Sequence, residues 1–198
     1  MPHRHHEASA IRAHCADVFA LDTRLPGMVF LKDRGDTLFG EFDALLTPEL
    51  WPALCAMARW HGDQHVELIV LSASHGTTSA PAALSLSVEA SSDDYWDAVG
   101  FAADGDALDS ITVAANVVAV TGPSGKWGCW GERDPEVAVF QGFPDTAARD
   151  AWRAEFGPFL GVDEALASYL SLAFRSPVPD WYNAAMTAHY RVSSDSRA

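Results

Sequence analysis

Residues 111–143 read ITVAANVVAV TGPSGKWGCW GERDPEVAVF QGF. Three apolar, β-branched or aromatic runs are separated by two turn signals, Gly122-Pro123-Ser124-Gly125 and the charged Asp134-Pro135 step. Runs of this composition divided by Gly and Pro describe a three-stranded antiparallel meander, with strands expected over 112–120, 126–131 and 137–141. Successive side chains of a strand point to opposite faces, so Trp127 and Cys129 share one face of the middle run, and Gly128 and Trp130 the other. In the first run Val117 and Ala119 oppose Val118 and Val120, and both sets are apolar. A sheet apolar on both faces needs cover on both, which puts this meander at the centre of the domain.

Working outward, Ile11, Cys15, Val18 and Phe19 fall at helical spacing within residues 7–20, and residues 1–6 and 193–198 are expected to fray. Residues 28–31 and 37–42 flank Asp33-Arg34-Gly35-Asp36 and are expected to form a hairpin. Thr47-Pro48-Glu49 signals a helix start, either directly or as a tight turn before a helix at Pro52, with Leu54, Cys55, Met57 and Ala58 inward and Gly62 as the stop. Residues 65–72 read as a buried strand, 73–81 as a loop of small residues, and 83–89 as a half-buried strand. Ser92 is expected to cap a helix over 93–101. Asp145 caps a helix with Trp152 and Phe156 aligned, closed by Gly157-Pro158. Asp163 caps the most regular helical pattern, with Leu166, Tyr169, Leu170, Ala173 and Phe174 on one face, and a last helix covers 180–190. This order describes one α+β domain over residues 1–198, with a mainly antiparallel sheet, helices packed on it and a C-terminal helical segment.

A chain of 198 residues with 48% apolar residues and seven tryptophans can bury a core without disulfide or metal. Its apolar runs fall short of the ~20 residues a membrane span needs, and MPHRHHEAS has no secretory apolar core, so no membrane partner is expected. Cys15, Cys55 and Cys129 form an odd, dispersed set inside apolar segments, as buried reduced thiols of a cytoplasmic protein do. Thirteen Lys and Arg against 27 Asp and Glu leave a net charge of −14, which excludes nucleic acid as a direct partner. The imbalance is concentrated. Residues 60–125 hold nine acids (Asp63, Glu67, Glu89, Asp93, Asp94, Asp97, Asp104, Asp106 and Asp109) and no Lys or Arg.

The familiar chemical motifs are each incomplete in this chain. Gly122 to Lys126 ends in Gly-Lys after a strand, but a phosphate-binding loop needs Gly where Val120 stands and Ser or Thr where Trp127 stands. His61 and His65 would share a helical face and could hold zinc, but Gly62 breaks the helix between them, and the nearest third ligand, His75, lies across a strand. Asp104-Gly105-Asp106 with Asp109 lacks the glycine position and closing glutamate of a calcium loop. No nucleophile elbow occurs, and the Ser74-His75 neighbours point apart on an extended chain. No catalytic residue, metal or cofactor is therefore assigned.

In composition and modest size the chain resembles bacterial toxin-immunity proteins, many of which are acidic and block a basic partner. The stretch GKWGCWGERDPEVAVF is similar to sheet segments of uncharacterised bacterial proteins. Both likenesses are of general character and carry no functional residue across. Together with the charge they imply an acidic, non-catalytic interaction module that binds a basic protein through Asp93, Asp94, Asp97, Asp104, Asp106 and Asp109. The alternative is a small-molecule-binding protein or hydrolase whose pocket is lined by Trp127, Trp130 and Arg133, the arginine either bracing its turn or presenting a guanidinium to a ligand.

Overall fold

A computed structural model describes residues 2–73, 82–102, 107–174 and 177–191. In chain order the elements are α1 (Pro2–Val18), β1 (Leu38–Gly40), α2 (Phe42–Leu45), a 3-10 turn (Pro48–Leu50), α3 (Trp51–Trp60), β2 (His65–Ala73), β3 (Ala83–Ser87), α4 (Ser92–Gly100), a second 3-10 turn (Ala107–Asp109), α5 (Ile111–Ala114), β4 (Ala115–Thr121), β5 (Gly128–Glu132), β6 (Val137–Gln141), α6 (Thr146–Phe156), α7 (Val162–Ala167), α8 (Tyr169–Ala173) and α9 (Asp180–Tyr190).

The fold is α+β, built on a six-stranded sheet in the order β1-β6-β5-β4-β2-β3 with every neighbouring pair antiparallel. The meander β4-β5-β6 occupies its middle, as the alternation requires. Trp130 lies between Ala119 and Val139, and Cys129 between Val120 and Phe140. Each face carries its own core. On one, Trp127, Cys129 and Phe140 pack with Phe42 and Leu45 of α2, the inner side of α3, Tyr95 and Val99 of α4, and Trp152 of α6. On the other, Trp130, Val139 and Ile69 pack with Cys15 and Val18 of α1, Leu166 of α7, and Tyr182, Met186 and Tyr190 of α9. Trp127 and Trp130 are both 0% exposed, one in each core.

Polar groups close the turns. Between β4 and β5, Gly125 N donates to Gly122 O at 3.0 Å. Asp63, just beyond α3, accepts from Ser124 N and Oγ at 2.7 Å each and from Trp127 Nε1 at 2.9 Å. Buried Glu132 accepts from Trp130 Nε1 at 2.7 Å and Leu25 N at 2.9 Å. The last helix is pinned to the first loop: Tyr190 Oη accepts from Val29 N at 3.1 Å and donates to Gly27 O at 2.6 Å.

Several local expectations need correction. The run expected as a strand over 112–120 begins with the helical turn α5, because β4 meets β5 only from Val117, opposite Glu132. Before that point Arg133 serves the carbonyls, donating to Ala115 O and Thr112 O at 2.9 Å each. The hairpin about Asp33 to Asp36 does not form. Phe30 bridges Phe19, while Leu38–Gly40 joins β6, whose Val139 and Phe140 offer a longer apolar edge. The cap of α4 is Ser91, one residue earlier than expected.

The helix expected from Asp163 is capped by Gly161 and breaks at Ser168 into α7 and α8, leaving Leu172 and Ala173 exposed. Ser168 Oγ donates to Glu164 O at 2.8 Å and Ser171 Oγ to Ser168 O at 2.6 Å, a competition for backbone groups that weakens and bends helices. The first helix reaches back to Pro2, where fraying was expected. The expected loop over 73–81 and the tail 193–198 lie, apart from Ala73, which ends β2, outside the described residues.

Candidate functional site

Helix α4 carries the acids that the sequence singles out. Ser91 Oγ accepts from Asp94 N at 3.1 Å, and Asp94 Oδ2 accepts from Ser91 N at 2.9 Å and Ser91 Oγ at 2.8 Å. These bonds hold the Asp94 carboxyl below the usual carboxylate range and turn it back toward the cap. Tyr95 and Val99 form the buried side of α4. Tyr95 stacks on Trp51 with centroids 4.8 Å apart and donates to Leu45 O at 2.8 Å.

With those two fixed inward, helical periodicity sends Asp93, Trp96, Asp97 and Gly100 outward in one stripe. Trp96 is 47% exposed and Phe101, just after the helix, 58%. Helix α5 packs against α4 and against the turn Ala107–Asp109, adding exposed Leu108, Asp109 and Val113. Asp93, Asp97 and Asp109 make no ion pair among the described residues; Asp104 and Asp106 lie outside them. Large apolar side chains thus stand in water beside carboxylates that have no ion pair among the described residues.

The structure does not bring Trp127, Trp130 and Arg133 together. The two indoles are sealed in opposite cores. Arg133 is spent as a brace: besides its two carbonyl bonds, Nη1 donates to Asp43 Oδ1 at 2.9 Å and the guanidinium lies 4.8 Å from the Phe42 ring centroid. Nor do the thiols offer a nucleophile. Burial pushes Cys15 up to about 12, Cys55 to about 11 and Cys129 well above the ordinary thiol value, so all three stay protonated. His14 Nδ1 lies 2.7 Å from Glu67 Oε2, beside the inert Cys15. Among the described residues no group of three or more His, Cys, Asp or Glu is placed to hold a metal ion, and no helix is long and apolar enough to cross a membrane.

One cleft escaped the sequence reading. It has a volume of about 250 Å³ and lies where β1 runs into α2, opposite the end of α6. Phe156, Phe159 and Leu50 supply its apolar lining, Thr47, Glu41 and Glu49 its polar part. The segment after α6 is clamped there by two bonds to β1, Phe39 N to Leu160 O at 2.8 Å and Leu160 N to Phe39 O at 3.0 Å. Phe159 stacks on buried Trp152 with centroids 4.2 Å apart, and its ring passes so close to Gly40 that a Cβ there would meet it at 3.1 Å. Residues 40–50 and 156–160 are distant in sequence, and no periodicity signals that they meet.

The chain matches no family model, no curated protein and no solved structure.

Proposed function

We propose that this protein is an acidic, non-catalytic interaction module that binds a basic protein through the outer face of α4 and the adjoining α5. The observation that carries this reading is the stripe Asp93, Trp96, Asp97: an exposed indole between carboxylates that have no ion pair among the described residues, in a stretch of residues 60–125 without one Lys or Arg. Such a face draws in a cationic partner by its field, and the indole supplies the buried anchor once docked. Tyr95, stacked on Trp51 and bonded to Leu45 O, seats α4 on the core beneath this face. The role fits that of a toxin-immunity protein, acidic and built to cover a basic partner. Three buried, unpaired cysteines suit a cytoplasmic setting.

The test is affinity capture from cells with the wild type and with Asp93→Lys/Trp96→Ala/Asp97→Lys, then stopped-flow association with the basic protein retained. The variant should lose that protein, and the wild-type association rate should fall ~10-fold or more as salt is raised. A partner that binds both proteins alike, at a rate indifferent to ionic strength, refutes the reading.

A further inference from the structure

We propose that the cleft between the β1–α2 corner and the end of α6 is a binding site for an amphipathic organic cation, an ammonium or guanidinium carried on a short apolar stem. Leu50 and Phe159 are buried beneath, Phe156 is half-buried, and Ala44, Gly157 and Pro158 complete an apolar wall. That surface asks for an apolar body of fragment size, not for a nucleotide or sugar.

The charges then decide the sign. Both ionisable side chains of the lining are carboxylates, Glu41 and Glu49; both are exposed, and neither has a hydrogen-bond or ion-pair partner among the described residues. Arg153, three residues before Phe156 of the lining, donates to Glu164 at 2.9 Å, and Arg133 donates to Asp43, two residues after Glu41. Two carboxylates with no partner among the described residues, above an apolar recess, favour a cation there and repel an anion.

The recess is also preformed. Phe159 is fixed between Trp152 and Gly40, and Leu160 is bonded to β1 on both its backbone groups, so binding need not order the loop. Thr47 Oγ1 donates to Ala44 O at 2.9 Å, which holds its side chain against α2. This inference does not rest on the partner-binding reading of α4, whose stripe the cleft does not include.

Three probes of one shape separate charge from shape: benzamidinium, benzamide and benzoate, titrated at low ionic strength and followed by backbone amide shifts. Benzamidinium should shift Gly40, Thr47, Gly157 and Phe159, bind at least tenfold more tightly than benzamide, and leave benzoate without measurable binding. Glu41→Gln/Glu49→Gln, two exposed changes, should abolish the preference for the cation. Ala44→Phe, on the exposed side of α2, should fill the recess and weaken all binding. A capped Gly-Arg-Gly peptide identifies the source: tighter binding than free benzamidinium points to a protein side chain, weaker binding to a free small cation, and either supports the site. Equal binding of benzamidinium and benzamide, shifts elsewhere, or a preference that survives the double Gln variant overturns the proposal.

Discussion

Replacing Asp63 with Ala removes three hydrogen bonds at once, those that tie the end of α3 to the β4–β5 turn. Bonds to a charged acceptor contribute about 1.5–3 kcal/mol each, but their loss is not a simple sum. Ser124 is half-buried, so its two donors recover water. Trp127 Nε1, inside a ring that is 0% exposed, does not, and an unsatisfied buried donor costs about 1–3 kcal/mol. The expected loss is about 2–4 kcal/mol.

Gly122 supplies the second arm. A Cβ there would lie 2.2 Å from Asp63 Oδ2 and 2.5 Å from its Cγ, so Gly122→Ala must push the carboxylate off its donors. Overpacking of this kind costs about 1–3 kcal/mol. Once Asp63 is Ala, only the contact with its Cβ at 2.9 Å remains. The two costs therefore overlap, and the double variant should be more stable than their sum predicts by at least ~1 kcal/mol. Urea unfolding of the four proteins, followed by tryptophan fluorescence, measures the cycle. Additivity within about 0.5 kcal/mol, or a loss below that for Asp63→Ala alone, would refute the reasoning.

Glu132 gives a pH prediction. Burial holds its carboxyl above the usual range, against the bonds from Leu25 and Trp130 that lower it. The folded protein thus binds this proton more tightly than the unfolded chain, so its stabilisation is full below the unfolded carboxylate pKa and is lost as pH rises through the folded value. Glu132→Gln should raise the urea midpoint at neutral pH and show no gain below about pH 4; an equal gain at both would count against it. Trp130→Ala should cost about 3–5 kcal/mol and Trp96→Ala under about 0.5, and comparable losses would contradict their placement. Native protein should leave Cys15, Cys55 and Cys129 unlabelled by a thiol reagent that labels all three in urea; rapid native labelling would contradict their burial.

The meander was legible because alternation and two turns are local signals, and both Trp placements followed from counting along one strand. The β1–β6 pairing was not, since Leu38 meets Phe140 with most of the chain between them. Ser168 defeated the helix pattern: apolar spacing marks which face is buried, but not where a hydroxyl outcompetes a backbone bond. The acids of α4 were legible as charge, yet Asp94 turned out to be spent on the Ser91 cap. The stripe's anchor was missed. Trp96 becomes an outward residue only once Tyr95 and Val99 are fixed as the inner side. Arg133 had two readings, and nothing local in the sequence could choose between a brace and a ligand contact.

The pairing of β1 with β6 has a consequence for how the chain assembles as it is made. Bringing Glu132 to Val137 closes a short turn, whereas bringing Leu38 to Phe140 closes a loop about twenty times longer, at a cost in chain entropy roughly 2–3 kcal/mol higher. During synthesis β2 finds β3 early, β4 adds to β2 after the crossover through α4 and α5, and β5 and β6 follow by short turns, while β1 waits for residue 140 to emerge. The face sealed by α2, α3, α4 and α6 can be finished by Phe159. The face that receives α1 cannot, because Tyr182, Met186 and Tyr190 complete it from the other end of the sequence. A nascent chain stalled before α9 would present one finished side and one bare side, with Trp130 beneath an incomplete cover.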